Sequence, residues 1–156
     1  NPSTPPETLA SLAKDLDSYI RTAVAKNPST PPEILASLAK VFDLYIRIAV
    51  AANPSTSPKT LASLVGDSIY VRTELAKNPN APPKVLTALA KDLDEYIRKN
   101  VAENPNTPSE VLTVLAKDFD KNVRYAAKKA LNDLKANQLV ESIVMYKVWK
   151  KLLRVI

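Results

Sequence analysis

The chain of 156 residues contains no cysteine and no histidine, and it has a single glycine. Without cysteine it has neither disulfides nor thiolate ligands, and without histidine it lacks the commonest general base and metal ligand. One glycine is too few for a loop that cradles phosphates, and no apolar run reaches the roughly 18 residues of a transmembrane helix. We therefore expect neither an enzyme nor a bound cofactor or metal.

What the chain does contain is one phrase of about 26 residues, present in five near-copies. The first copy reads NPSTPPETLASLAKDLDSYIRTAVAK, and the copies begin at Asn1, Asn27, Asn53, Asn78 and Asn104. A repeat of this length predicts a solenoid, in which each unit packs only on its neighbours. Because the chain starts without Met at a repeat boundary, we interpret it as a fragment of a longer protein, and we expect a cytoplasmic, bacterial one.

Each repeat predicts two helices separated by a polar turn. Asn-Pro ends the preceding helix, and Thr-Pro-Pro-Glu at residues 4–7 predicts a capping box for the first helix. Leu9 and Leu12 lie on the buried stripe of that helix, which is expected to run for about ten residues. Ile20 and Val24 predict the buried side of a second, shorter helix.

The repeated phrase resembles the leucine-rich repeat variant family over roughly residues 1–127. The resemblance implies an all-α, right-handed solenoid of five two-helix repeats, with a short second helix that is α or 3₁₀. Some members carry a Cys-rich iron–sulfur segment, which a chain without cysteine does not share. No agreed activity is associated with the family, so the resemblance implies none. Residues 118–127 also look like the second helix of a HEAT repeat, which again implies an α-solenoid.

The repeats are predicted to occupy residues 1–129, and residues 130–156 are predicted to form capping helices of the same domain. A helix break is expected within residues 132–137. We favour a cap that covers the open end of the solenoid with its apolar face. A homo-oligomer contact through the C-terminal helix and a cationic helix lying on an anionic membrane stay open as alternatives.

The basic character of the chain belongs to its C-terminal third. The net charge is +1 over residues 1–103 and +5 over residues 104–156. On the last predicted helix, one narrow face carries a candidate basic patch of Lys147, Lys150, Lys151 and Arg154. This patch predicts the site at which an anionic surface would bind.

Arginine recurs once in each repeat, usually four residues after an aspartate, at Arg21, Arg47, Arg72, Arg98 and Arg124. We favour a structural ladder, in which each guanidinium bridges carboxylates or loop carbonyls of its own and the next repeat. The alternative is an arginine stripe for phosphates or acidic peptides, although the nearby aspartates neutralise the field that a phosphate needs. The recurring Asp-x-Asp turns are interpreted as helix caps, since catalysis requires one asymmetric constellation.

Two further sets of residues are candidate binding sites for a partner. Four repeats carry a tyrosine just before the Ile/Val-Arg pair, at Tyr19, Tyr45, Tyr70 and Tyr96. These rings could stack on bases or grip a peptide, but we favour a role in covering the seams between repeats, with only the hydroxyl in water.

The second set is an apolar departure of the second repeat, which has Val41, Leu44, Ile48 and Ala52 where the other repeats are mostly polar. The last three share one face of a helix, and we expect that face to point outward. It is either a contact site for a partner, a second copy or an upstream element, or a set of scattered surface hydrophobes.

These observations predict a non-enzymatic repeat scaffold that binds a protein or peptide through one repeated face. The alternative is a protein that binds an anionic surface, either nucleic acid or membrane, through the basic C-terminal third. The two differ in their response to salt, because phosphate binding weakens steeply and log-linearly with salt concentration.

Overall fold

The computed structural model describes residues 1–152, without the side chains of residues 148, 151 and 152, and this part of the chain forms only helices and turns. In chain order the helices are α1 (Pro6–Leu12), α2 (Ser18–Lys26), α3 (Pro32–Leu38), α4 (Leu44–Ala52), α5 (Pro58–Ser63), α6 (Ile69–Lys77), α7 (Pro83–Leu89), α8 (Glu95–Glu103), α9 (Ser109–Leu115) and α10 (Lys121–Leu152). Odd numbers are the first helices of the repeats, and even numbers are the second helices. The predicted all-α repeat solenoid is confirmed.

The first helix of each repeat is shorter than predicted, with six or seven residues, and in four of the five repeats it begins at a proline. Helix α3 has seven residues and starts at Pro32, and its N-cap Pro31 makes no side-chain capping bond. The hydroxyl of Thr30 donates instead to the carbonyl of Val24, at 2.6 Å. The predicted capping box is therefore wrong: this threonine satisfies a carbonyl of the preceding helix and does not open the next one.

The second helix is the longer of the two. Helices α2, α4, α6 and α8 are α-helices of nine residues. The second helix is therefore α and not 3₁₀, and the prediction that it is the shorter of the two is wrong. Each starts from a side chain that accepts a backbone N–H of the first turn, as Asp43 does for Tyr45 and Ile46. In the third repeat, which is one residue shorter, Ser68 takes this place.

The core lies between the two layers of helices, and the second helices pack directly on one another along the solenoid. Four of the five second helices contribute a fully buried branched residue, at Ile46, Val71, Ile97 and Val123, while the equivalent Ile20 of α2 is half-buried. The first helices contribute a matching column of leucines at Leu35, Leu61, Leu86 and Leu112. Burying each such side chain stabilises the fold by about 1.5–3 kcal/mol.

Buried asparagines join each repeat to the one before it. Asn53 donates from Nδ2 to the carbonyls of Ala25 and Asn27, at 2.6 and 2.8 Å. Its Oδ1 accepts the N–H of Ser55 at 2.8 Å. Asn78 and Asn104 repeat this arrangement on the carbonyls of their own preceding repeats. The Asn-Pro pair that ends each helix is therefore also a polar joint between repeats.

The C-terminal helix does not form the predicted cap within the described residues. Helix α10 runs unbroken from Lys121 to Leu152, so the break expected within residues 132–137 is wrong. Asparagine costs a helix interior only a few tenths of a kcal/mol, up to about 0.7, and this segment has neither proline nor glycine to end it. Every described side chain from residue 132 to residue 150 is exposed, so the cap predicted for residues 130–156 packs on the core only through the half-buried Ala130 and Leu131 as far as it is described. No helix up to residue 152 combines the length and the apolarity that crossing a membrane requires.

Removal of residues 137–156 is expected to change the melting temperature by less than about 3 °C, because none of the described side chains that it deletes is buried. Trp149 is the sole tryptophan and is exposed, so it should emit at the wavelength of a water-exposed indole in dilute, lipid-free buffer. A melting temperature lower by several degrees, or blue-shifted emission that persists on dilution, would show that these residues form an intramolecular cap.

Candidate functional site

All five arginines of the predicted ladder bind carbonyls of their own turn, and three of them also bind a carboxylate of the next repeat. Arg98 donates from Nε and Nη2 to the two carboxylate oxygens of Asp118, at 2.8 and 2.9 Å, twenty residues further along the chain. From Nη1 it donates to the carbonyls of Asp92 and Leu93 in the turn of its own repeat. Arg47 and Arg72 pair in the same bidentate manner with Asp67 and Asp92. Each rung thus joins one repeat to the next, and the structural interpretation is supported.

The pairing shifts the acidity of the carboxyl groups. Hydrogen bonds from Arg47 and Arg98 lower the pKa of Asp67 and Asp118 below the ordinary value of a carboxyl group. For Asp92, burial is the strongest single influence and acts to raise the pKa, but the bond from Arg72 and the other favourable contacts still leave it lowered. All three carboxylates are held ionised, which suits a structural pair and does not suit a general base near neutral pH.

The Asp-x-Asp turns divide their two carboxylates between different tasks. Asp92 pairs with Arg72, whereas Asp94 accepts the backbone N–H groups of Tyr96 and Ile97 at the start of α8. Neither carboxylate is left to act on a substrate together with the other. Across residues 1–152, no group of three or more acidic, histidine or cysteine side chains could hold a metal ion.

The tyrosine column lies on the open surface of the second helices, so the prediction that these rings cover the seams is wrong. The exposed fractions of Tyr19, Tyr45, Tyr70 and Tyr96 are 84, 73, 63 and 53 %. Each tyrosine lies at the start of its helix, and the next residue is the branched side chain that faces the core. One residue turns a helix by about 100°, so the ring points away from the core.

Two grooves run between successive second helices, and the tyrosines line both. The first has a volume of about 490 Å³ and lies between α2 and α4. The second, of about 410 Å³, lies across α4, α6 and α8. Tyr19 and Tyr45 line the first groove, Tyr70 and Tyr96 line the second, and Ile48 lines both. The four tyrosines and Ile48 therefore belong to one continuous surface, which we call the tyrosine face.

The apolar stripe of the second repeat is divided by the structure. Leu44 and Ile48 are both half-buried against the core, but Ile48 also lines the grooves of the tyrosine face, whereas Leu44 lines neither groove. Ala52 is exposed at the end of α4, and Val41 packs against the core in the preceding turn. The predicted outward direction therefore describes Ile48 and Ala52, and Leu44 only in part.

Two lysines lie beside the last ring of the tyrosine face, and each is also paired with a glutamate of its own helix. The Nζ atoms of Lys77 and Lys99 lie 5.8 and 6.0 Å from the ring centroid of Tyr96, within the range of cation–π attraction. Lys26 lines the first groove together with Tyr19. The face thus offers aromatic rings with charged side chains of both signs beside them.

The turn between the two helices holds exposed apolar residues that the sequence interpretation missed. Their side chains are almost completely exposed, at Leu16, Phe42, Leu93 and Phe119. The available signal was an apolar residue that recurs immediately before the capping aspartate, where no core position falls. Together these residues form an apolar edge along one side of the solenoid.

The predicted basic patch is described only in part. Lys147 and Lys150 are exposed on α10, and the Nζ of Lys150 lies 5.9 Å from the ring centroid of Tyr146. The side chain of Lys151 and the whole of Arg154 lie outside the described residues. The patch belongs to a different helix from those that carry the tyrosine face.

Comparison with known proteins identifies the repeats. Residues 45–97 match the family model described as Leucine Rich Repeat Variant domain, and residues 97–120 match the one described as Leucine rich repeat variant. The chain is similar in fold to a solved structure described as a leucine-rich repeat variant with a novel repetitive protein structural motif, with 24 % identity and a TM-score of 0.64. The similarity covers 83 % of this chain and 52 % of that one, so the chain spans about half the length of that structure. None of the curated proteins matches the chain.

Proposed function

We propose that this chain, which belongs to the leucine-rich repeat variant family and has its helical repeat scaffold, binds an extended protein segment on the tyrosine face and catalyses no reaction. The observation that carries the proposal is the row of four exposed tyrosines with Ile48 between them. Tyrosine is enriched where proteins bind one another, because its ring buries a large area at a small entropic cost.

The spacing of the tyrosines suits a short extended segment. Packed helices lie about 8–10 Å apart, so the three intervals from Tyr19 to Tyr96 span roughly 30 Å. An extended chain advances about 3.3 Å per residue, and a segment of about nine residues would therefore follow the whole tyrosine face. Apolar side chains of such a segment would enter the two grooves, and its backbone could bond to the tyrosine hydroxyls.

Selection of random nine-residue peptides against the intact chain is the test. Peptides that are enriched are expected to lose at least about tenfold in affinity when Tyr45→Ser and Ile48→Thr are combined, since each side chain would be buried by the ligand. The melting temperature should change little, because polar residues already occupy the position of Ile48 in other repeats, such as Thr22 and Thr73.

Val114→Thr is the matched control, because Val114 is an exposed apolar residue on the layer of first helices. It should leave the affinity of the same peptides unchanged. If selection enriches no peptide, or if the enriched peptides bind the Tyr45/Ile48 variant as well as the wild type, the tyrosine face is not the binding surface.

The second candidate function is binding of an anionic surface through α10. It is favoured by the exposed lysines Lys147 and Lys150, which lie among exposed apolar side chains such as Val144 and Trp149 on the same helix. A cationic helix with apolar side chains can lie at a membrane interface. Co-sedimentation with vesicles that contain phosphatidylserine, in low and in high salt, distinguishes this function from peptide binding, which should be much less sensitive to salt.

A further inference from the structure

One rung is missing from the arginine ladder, and it is missing inside the stack of repeats. The three carboxylate pairs join Arg47, Arg72 and Arg98 to an aspartate twenty residues further on. The corresponding partner of Arg21 is residue 41, which is valine. The apolar residue at position 41 of the second repeat therefore removes the carboxylate that Arg21 would bind.

The guanidinium of Arg21 is nevertheless fixed in the same manner as the others. Its Nη1 donates to the carbonyls of Asp15 and Leu16, at 2.6 and 2.9 Å. Arg47 holds the carbonyls of Val41 and Phe42 with its own Nη1 in the same way. The orientation of Arg21 is therefore set by its own turn and does not depend on a carboxylate.

The other edge of this guanidinium is open. Nε and Nη2 of Arg21 have no hydrogen-bond partner in the described part of the chain, and neither atom is buried, since the only unpartnered buried side-chain atom there is Nδ2 of Asn100. A fixed guanidinium edge with two parallel N–H donors is the arrangement that binds a carboxylate in a bidentate manner.

The surroundings of Arg21 provide a site and not merely an exposed charge. Leu16 and Phe42, in the turns on either side, are almost completely exposed. A groove of about 300 Å³ between α1 and α3 reaches Val41 and is lined by one residue of each charge, Lys14 and Glu33. Arg124 also lacks a carboxylate, but α10 continues where another repeat would provide a neighbouring turn.

We propose that Arg21 binds an acidic side chain of a partner protein, seated where the ladder would otherwise have its own aspartate. The proposal takes the class of partner from the proposed function, but the carboxylate site is separate from the tyrosine face and is tested by itself. The ligand is a carboxylate and not a phosphate, because the same edge of the guanidinium binds one planar carboxylate in each of the three complete rungs. The neighbouring Leu16 and Phe42 favour apolar residues next to the acidic one.

The arginine Nε–H signals of the ¹⁵N-labelled intact chain provide the test. Sodium acetate, titrated against sodium chloride at constant ionic strength, should shift the Arg21 signal in a saturable manner. It should leave Arg47, Arg72 and Arg98 unmoved, because their carboxylates are in place. Inorganic phosphate should produce a smaller shift at Arg21 than acetate does.

Val41→Asp should move the Arg21 signal, without acetate, to the region of the three paired arginines and abolish its response. Val41→Ala leaves the rung empty and should retain the response. Peptides selected against the intact chain that depend on an acidic residue for binding should bind the Val41→Asp variant at least about tenfold more weakly than the wild type.

An Arg21 signal that acetate does not shift, a response equal to that of Arg124, or a stronger response to phosphate would overturn the proposal. So would a response that survives in Val41→Asp. Tyr45→Ser should not alter the acetate response, so the two sites fail separately. If the carboxylate site fails these tests, peptides without acidic residues should still bind the tyrosine face of the Val41→Asp variant as tightly as that of the wild type. Such a result would support the proposed function and contradict only the carboxylate site.

Discussion

Replacing Asn78 by alanine is expected to lower the free energy of unfolding by about 3 kcal/mol. Asn78 is buried, and its Nδ2 donates to the carbonyls of Ala51 and Asn53, at 2.7 and 3.1 Å. Its Oδ1 accepts the N–H of Asn80 at 2.8 Å. Alanine would leave the carbonyl of Ala51 and the N–H of Asn80 without their partner, and it would remove one of the two bonds to the carbonyl of Asn53, which also accepts the N–H of Thr56. Each unsatisfied buried group costs about 1–3 kcal/mol. Urea unfolding followed by circular dichroism measures the loss.

Asn80→Ser is the control for this prediction. Asn80 is exposed in the same turn and donates to the carbonyl of Pro54, while Ser55 at the equivalent position donates to the carbonyl of Pro28. Serine should therefore keep the bond, and the free energy of unfolding should change by less than about 0.5 kcal/mol. A loss below about 1 kcal/mol for Asn78→Ala would mean that water replaces the amide, and that the asparagine column is not a main joint between repeats.

Replacing Arg98 by alanine is expected to cost about 3 kcal/mol, and replacing Arg124 only about 1 kcal/mol. Both arginines donate from Nη1 to two carbonyls of their own turn. Only Arg98 also holds a carboxylate, that of Asp118, and both side chains of this pair are largely buried. The difference between the two variants therefore measures the carboxylate part of one rung.

The dependence of stability on pH checks the same rung independently. The bond from Arg98 lowers the pKa of Asp118 in the folded state, so between the two pKa values the unfolded chain binds more protons than the folded one. The contribution of the rung is complete above the ordinary carboxyl pKa of about 4 and is lost as the pH falls through the lowered folded value. Wild-type stability should fall below about pH 4, and that of Arg98→Ala should fall less steeply. Parallel acid limbs would contradict the structural assignment of the ladder.

The sequence specified the repeat and the pairing of arginine with aspartate, but not which aspartate is the partner. An aspartate stands four residues before most of the arginines, yet Asp94 caps α8 and does not pair with Arg98. The actual partner lies in the next repeat, which is a tertiary contact. Spacing along one chain cannot distinguish the two, because a carboxylate in the turn can reach either a helix N-terminus or a guanidinium.

The binding surface was the least predictable part. Tyr45 and Ile46 are adjacent and both largely apolar, and only the phase of a nine-residue helix decides that the first is exposed and the second buried. The same limit applies to α10, where residues 132–137 contain weak helix formers but no residue that forbids a helix. Small differences in helix propensity decide such segments, and a single sequence does not resolve them.

The two kinds of joint between repeats point in opposite directions along the chain. Asn27, Asn53, Asn78 and Asn104 all donate backward, to carbonyls of the repeat that precedes them. The arginines reach forward, to an aspartate that follows twenty residues later. During synthesis, each new repeat thus meets backbone acceptors that the previous repeat already holds in position, and its own aspartate then completes the ion pair. The addition of one repeat at the C-terminal end of the stack therefore completes both joints of one interface at once.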